Sequence, residues 1–279
     1  MQTLIPYIAV AFIYLTVAAD FWRNVRLAEN KSSTGLAMQS KPNLTLHSMM
    51  IAFALTLHGW LLFNNLFGSG FNLGLFHALS AIFWLTVLIY WISDLKHTLY
   101  SLQAFVLPPA AIFTLLPAFT SQNHYLPIAD ASLFMLHIGI AIFAYSLFTF
   151  AALHALLMSI AQRSLHNKPT FIILPSFPPL MVMETLLFRI ITLGFVLLTI
   201  TLISGMLFSE QIFSQPIQLN HKTIFSIISW LIYAALLFGH YYYGWRGSKA
   251  IRWTLAGFIF LLLAYIGSKF VLEVLLQQP

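Results

Sequence analysis

The sequence predicts an all-α fold: a polytopic membrane helix bundle of eight transmembrane helices, with both termini non-cytoplasmic. Three observations carry this. Apolar residues make up 60% of the 279 and charged residues only 7%, whereas soluble domains run at about half apolar and a quarter charged. Eight apolar runs, at 3–19, 44–64, 72–93, 99–120, 132–162, 188–208, 223–244 and 251–276, approach the ~20 residues needed to cross about 30 Å of hydrocarbon. Eleven of the 13 Lys and Arg residues fall in alternate connecting segments, the asymmetry that marks cytoplasmic loops.

The first run has no basic residue ahead of Asp20, so it lacks the charged leading region of a cleaved secretory signal and reads as a retained span. Val17-Ala18-Ala19 is the feature that resembles a cleavage site. Arg23, Arg26, Lys31 and Lys41 follow on the cytoplasmic side. The second run carries His47 and His58; on a helix they share a face, about 16 Å apart along the axis. His77 opens the third run and Lys96 follows it. Pro108, Pro109 and Pro117 interrupt the fourth, which predicts a kink whose freed carbonyls are satisfied by neighbouring helices.

The fifth run holds His137 near its outer start and His154 towards its inner end. The longest connector runs from Arg163 to Glu184, with Lys168, Pro169, Pro175, Pro178 and Pro179, and reads as extended or surface-lying; Arg189 is counted with it as an inner-loop charge. The seventh run ends in Phe238-Gly239-His240. The turn Tyr243-Gly244-Trp245-Arg246-Gly247 then supplies a basic patch with Lys249 and Arg252, and the eighth run returns. Lys222 and Lys269 alone fall on the outer side. All loops are short, so 1–279 is expected to form a single transmembrane domain.

The formal net charge of +6 is explained by loop placement, and no nucleic-acid function is expected. With no cysteine, disulfides, thiolate nucleophiles and Cys-ligated metal centres are excluded. The seven carboxylates, Asp20, Glu29, Asp94, Asp130, Glu184, Glu210 and Glu273, sit near membrane edges, which disfavours a transporter with a midplane acidic site. Met49-Met50 and Met181 with Met183 read as packing rather than copper ligation. Most of the tryptophans fall near expected interfaces, where an aromatic belt accounts for them.

Ten histidines in so apolar a chain are the main chemical signal, because an imidazole inside a membrane is costly and needs a reason. Depth sorts them into two layers. His58, His77 and His137 lie outward, with His124 and His221 in or beside outer loops; His47, His154 and His240 lie inward, with His97 and His166 in inner loops. Neutral imidazoles at such depths can ligate an iron porphyrin. They can equally hydrogen-bond neighbouring helices and hold the bundle together.

Several motifs carry a resemblance. Pro178-Pro179-Leu180, the run from Met183 to Phe195, Ser229-Trp230-Leu231-Ile232-Tyr233 with His240, Gly244-Trp245-Arg246-Gly247, Ala264-Tyr265-Ile266-Gly267, and Leu136-His137-Ile138-Gly139 with Ala144-Tyr145 resemble the cytochrome c assembly proteins of the CcsA, CcmC and HemX group. Within it the similarity is greatest to the small inner-membrane YpjD-type branch, and the CcsA-like region covers 133–279. The resemblance implies a haem-handling protein of the bacterial inner membrane. It implies axial ligation of haem b by His137 at an outer site and by His240 at an inner site. Arg189, Arg246, Lys249 and Arg252 are then cations for haem propionates or, equally, topology anchors. Two features depart from the family pattern. The outer loop 209–222 has no tryptophan, and no histidine follows the last span in 273–279, which weighs against direct attachment of haem to an apocytochrome. His58, His77 or His221 are the candidates to supply a missing ligand.

The expected function is therefore an integral membrane haem-binding protein accessory to cytochrome c assembly or haem homeostasis, not an enzyme in its own right. Its partners would be haem, the lipid bilayer and other cytochrome assembly proteins. The porphyrin is expected between the second, fifth and seventh spans, walled by Phe134, Tyr145, Trp230 and Tyr233. The alternatives are a haem-free scaffold or regulator, a quinol-linked haem electron carrier and a haem lyase.

Overall fold

A backbone that crosses hydrocarbon finds no water for its N–H and C=O groups, so it must satisfy them within each segment. Within the described residues all eight runs accordingly form helices. The computed structural model describes residues 4–34, 44–67, 74–97, 99–119, 132–166, 179–213 and 221–267. Among them the elements are α1 (Ile5–Thr34), α2 (Leu44–Phe67), α3 (Leu75–His97), α4 (Gln103–Leu115), α5 (Ser132–His166), α6 (Leu180–Phe213), α7 (His221–Tyr243) and α8 (Ser248–Leu262). Short 3₁₀ turns, Tyr100–Leu102 and Leu116–Phe119, flank α4, and a π-turn, Leu263–Gly267, follows α8. Eight helical stretches are long and apolar enough to cross a membrane.

The helices form two groups. In the first, α1 lies against α2 and α4 while α3 lies against α2 and α4; in the second, α5 packs on α6 and α8, and α7 packs on α8. The contact of α3 with α5 joins them. Small residues let backbones approach where lipid tails supply no hydrophobic drive between helices. Ala104, Ala110 and Ala111 on α4 and Ala144, Ala151 and Ala155 on α5 are all buried. Tryptophan N–H groups act as pegs: Trp84 donates to the Leu55 carbonyl at 2.8 Å, Trp91 to Ser48 Oγ at 2.9 Å and Trp230 to Thr199 Oγ1 at 2.8 Å.

Several boundaries differ from expectation for identifiable reasons. Pro108 and Pro109 are accommodated inside α4, and the departures from α geometry fall at its two ends. The sixth helix begins at Leu180, eight residues before the expected 188. Pro179 lacks a donor but starts the helix well, its carbonyl accepting from Val182 and Met183 at 2.8 and 3.2 Å. The added turns bury Met183 and Leu187 completely, so Glu184 and Arg189 belong to a helix rather than a loop. In the same way Lys249 and Arg252 lie in the first turns of α8, His221 is the first residue of α7, and His97 and His166 end α3 and α5. His124, Lys168, Lys269 and the last nine residues of the expected eighth span, 268–276, fall outside the described residues.

Candidate functional site

Because α6 packs chiefly on α5 and α7 chiefly on α8, a cleft separates α6 from α7 at the end marked by the α7–α8 turn. It contains a cavity of about 1050 Å³, at the upper end of what small-molecule and cofactor sites enclose. One face of α6 supplies most of the wall. Met181, Glu184, Thr185, Phe188, Arg189, Thr192 and Val196 recur at helical spacing along it, opposite His240 and Tyr241 of α7 and Arg246 and Gly247 of the turn. Its rim is apolar and exposed at Met181, Leu193, Val196 and Tyr241.

His240 sits at the centre of this constellation. Its ring stacks on Phe188, with centroids 3.4 Å apart and planes 14° from parallel. Its Nδ1 lies 3.0 Å from the Trp245 carbonyl. A carbonyl can only accept, so Nδ1 carries a proton, and in the neutral ring Nε2 keeps its lone pair. Nε2 makes no hydrogen bond among the described residues, and the ring lines the cavity. This is the arrangement of a metal-ligating histidine, whose second nitrogen is held by a carbonyl or carboxylate.

The turn that brings the Trp245 carbonyl there depends on glycine. Gly244 and Gly247 have φ of 63° and 55°, a region that side chains rarely enter. The Trp245 indole lies directly over Gly239, leaving no room for a Cβ. Two guanidiniums border the cavity. Arg246 Nε is 3.4 Å from Glu184 Oε1, while Arg189 is exposed and pairs with no carboxylate among the described residues. A cavity with an open imidazole nitrogen, an aromatic face and two cations suits a flat ligand bearing a metal and carboxylates.

The other histidines occupy different surroundings. His137, on α5, has Nδ1 2.7 Å from Ser204 Oγ of α6. Ser204 Oγ also donates to the Ile200 carbonyl at 2.7 Å, and with its proton there it accepts from His137 Nδ1. Phe134 stacks on it at 6.3 Å, and the absent side chain of Gly205 leaves space beside its Cε1. Ser204 and Phe188 are separated on α6 by about 24 Å of helix. His137 and His240 therefore cannot share one iron.

His58 is almost wholly buried in the first helix group. Its Nε2 lies 3.0 Å from Ser80 Oγ, and Tyr14 Oη and Thr114 Oγ1 lie 3.4 and 3.3 Å from Nδ1. His77 is buried on α3, one turn before Ser80. His154 donates from Nε2 to the Met183 carbonyl at 2.9 Å, and His47 pairs with Asp20 at 3.0 Å while stacking on Tyr100. The structure thus brings His240, Arg189 and Arg246 to one cavity, and places His137 at the other end of α6 and His58 and His77 in the other helix group.

Of the expected wall residues, Phe134 stands by His137, Tyr145 packs on Tyr265, Trp230 bonds Thr199, and Tyr233 stacks on Phe148 at 4.0 Å and bonds the Thr254 carbonyl. None of them lines the His240 cavity. Sequence reasoning missed Phe188, Glu184 and the Trp245 carbonyl as parts of the site. The spacing of Glu184, Phe188 and Thr192 at successive fourth positions was the available signal, hidden by starting the helix at 188.

The family model described as cytochrome C assembly protein matches residues 43–276, a stretch that includes α2 to α4. The chain is similar to the inner membrane protein YpjD of Escherichia coli (strain K12), 37% identical over 173 residues, which cover 62% of this chain and 63% of that protein. It thus spans a little under two thirds of that relative's length. It is also similar to an uncharacterized 28.8 kDa protein of Azospirillum brasilense, 31% identical over 50% of this chain and 52% of that one. With the cytochrome c biogenesis protein CcsA of Prochlorococcus marinus (strain NATL1A) it is 36% identical over 85 residues, 30% of this chain and 27% of that protein.

Proposed function

The chain belongs to the cytochrome C assembly protein family, and from that premise we propose that it is a multi-pass inner-membrane protein that binds and passes on haem b, as an accessory to cytochrome c assembly or haem homeostasis. The observation that carries the haem reading is the state of His240: Nδ1–H bound to the Trp245 carbonyl, Nε2 basic, and the ring on the wall of a cavity of about 1050 Å³. Haem supplies an iron that takes an axial imidazole. His240 offers that imidazole and Phe188 keeps its ring flat and oriented. Arg189 and Arg246 pair with the propionates, and the exposed apolar rim admits the ligand from the bilayer side. With the basic segments cytoplasmic and both termini outside, this is the inner station. His137 forms the outer one, about 24 Å away along α6. The CcsA relative is named a cytochrome c biogenesis protein, and in such a setting the components to which haem would pass are other assembly proteins.

A haem-free scaffold is the reading that His47, His58 and His154 favour, since each already bonds a neighbouring helix. His240 separates the two. A pyridine haemochrome assay with a visible spectrum of detergent-purified protein tests them. Near-stoichiometric b-type haem that is lost or spectrally altered in His240→Ala or His137→Ala supports the proposal. Absent haem, or haem unchanged by both substitutions, leaves the scaffold.

A further inference from the structure

The α7–α8 turn has two residues at positive φ, and glycines at such positions add conformational freedom rather than rigidity. Its shape is fixed by what it touches. From α6, Glu184 Oε2 accepts the Gly247 N–H at 3.2 Å and Oε1 faces Arg246 Nε at 3.4 Å. Just before these two residues lies Trp245, whose N–H donates to the Gly239 carbonyl at 3.0 Å and whose own carbonyl accepts from His240 Nδ1 at 3.0 Å. The Glu184 side chain is 18% exposed and that of Arg246 65%, so the carboxylate is the fixed member of the pair. The other bond from the bundle to this end of α8, Ser248 Oγ to Gln162 Oε1 at 3.1 Å, lies on the far side of Gly247 from Trp245.

We propose that Glu184 is a positioning residue for His240: by holding the turn against α6 it sets the Trp245 carbonyl where it takes the Nδ1 proton, and so fixes the tautomer that presents Nε2 to the cavity. An imidazole without such a partner populates both tautomers. Only the one with a bare Nε2 offers a lone pair from the cavity wall. The same carboxylate faces Arg246, whereas Arg189, the other guanidinium at the cavity, pairs with no carboxylate among the described residues, so an incoming carboxylate meets Arg189 first. The consequence for haem rests on the function proposed above; the tautomer does not.

The test reads the tautomer in haem-free protein, from ¹⁵N chemical shifts of histidine-labelled protein in liposomes, with His240 assigned by the loss of its signals in His240→Gln. Glu184→Met keeps the volume and helix propensity and removes both oxygens; Glu184→Gln keeps an acceptor for Gly247. The expected result is a protonated Nδ1 and bare Nε2 in the wild type and in Glu184→Gln, and a mixed population in Glu184→Met. An unchanged signal in Glu184→Met, or an equal loss in Glu184→Gln, overturns the proposal. Should Glu184→Met not fold, Glu184→Ala takes its place. Haemin titration then follows the consequence: affinity falls about two- to fivefold in Glu184→Met, in proportion to the lost population of the competent tautomer, and is restored in Glu184→Gln. If haemin binds none of these proteins, the haem reading fails while the ¹⁵N result still decides the role of Glu184.

Discussion

Half-buried His240 differs from the buried imidazoles in that its ring lines a cavity. His58 is ringed by three hydroxyls, from Tyr14, Ser80 and Thr114, each of which loses a partner if the ring is removed. A buried polar group left unsatisfied costs about 1–3 kcal/mol, so His58→Leu should lower the thermal unfolding midpoint in detergent while leaving haem content unchanged. Loss of haem with an unaltered midpoint would instead make His58 a ligand. The sequence placed both histidines at plausible depths. It could not separate them, because helical periodicity says which face a ring occupies but not whether a hydroxyl or a ligand waits there. What distinguishes them is a carbonyl five residues beyond His240, brought back by a glycine turn.

At the scale of elements, hydropathy located every helix, because the cost of an unsatisfied backbone in lipid leaves little choice of structure. It misjudged where α6 begins, since Glu184 and Arg189 read as loop charges. Those charges sit in the helix because they border a cavity rather than lipid, so the error fell on the site itself. The turn after His240 already implied that α7 and α8 are neighbours, but how closely they approach was hidden. Ser229 Oγ bonds the Gly257 carbonyl at 2.9 Å, and the Tyr233 ring would lie 2.8 Å from a Cβ at residue 257. Overpacking of this kind costs about 1–3 kcal/mol, so Gly257→Ala should unfold at lower temperature. Gly139→Ala, where a Cβ meets nothing within 4 Å, should be neutral or stabilising by up to about 1 kcal/mol through helix propensity. Equal melting temperatures for the two variants would contradict the close approach of α7 and α8.

At the scale of the molecule, two helix groups meet at α3 and α5, and the station at His240 lies wholly in the second. In the topology proposed from the distribution of Lys and Arg, this station lies at the cytoplasmic face. Because the chain contains no cysteine, single cysteines report sidedness without background. Ser248→Cys should react with a membrane-impermeant maleimide only after the cells are opened, and His221→Cys should react in cells whose outer envelope alone is permeable. The reverse pattern would place the cavity on the other side and exchange the inner and outer stations.

Haemin titration of His240→Gly, with and without added imidazole, asks whether one nitrogen at one position holds the iron. Haem-free wild-type protein should take up haemin with the Soret spectrum of a singly imidazole-ligated iron. His240→Gly should lose that spectrum, and imidazole diffusing into the vacated space should restore it. A wild-type spectrum retained in His240→Gly, or no haemin uptake by the wild type, would show that His240 is not the ligand.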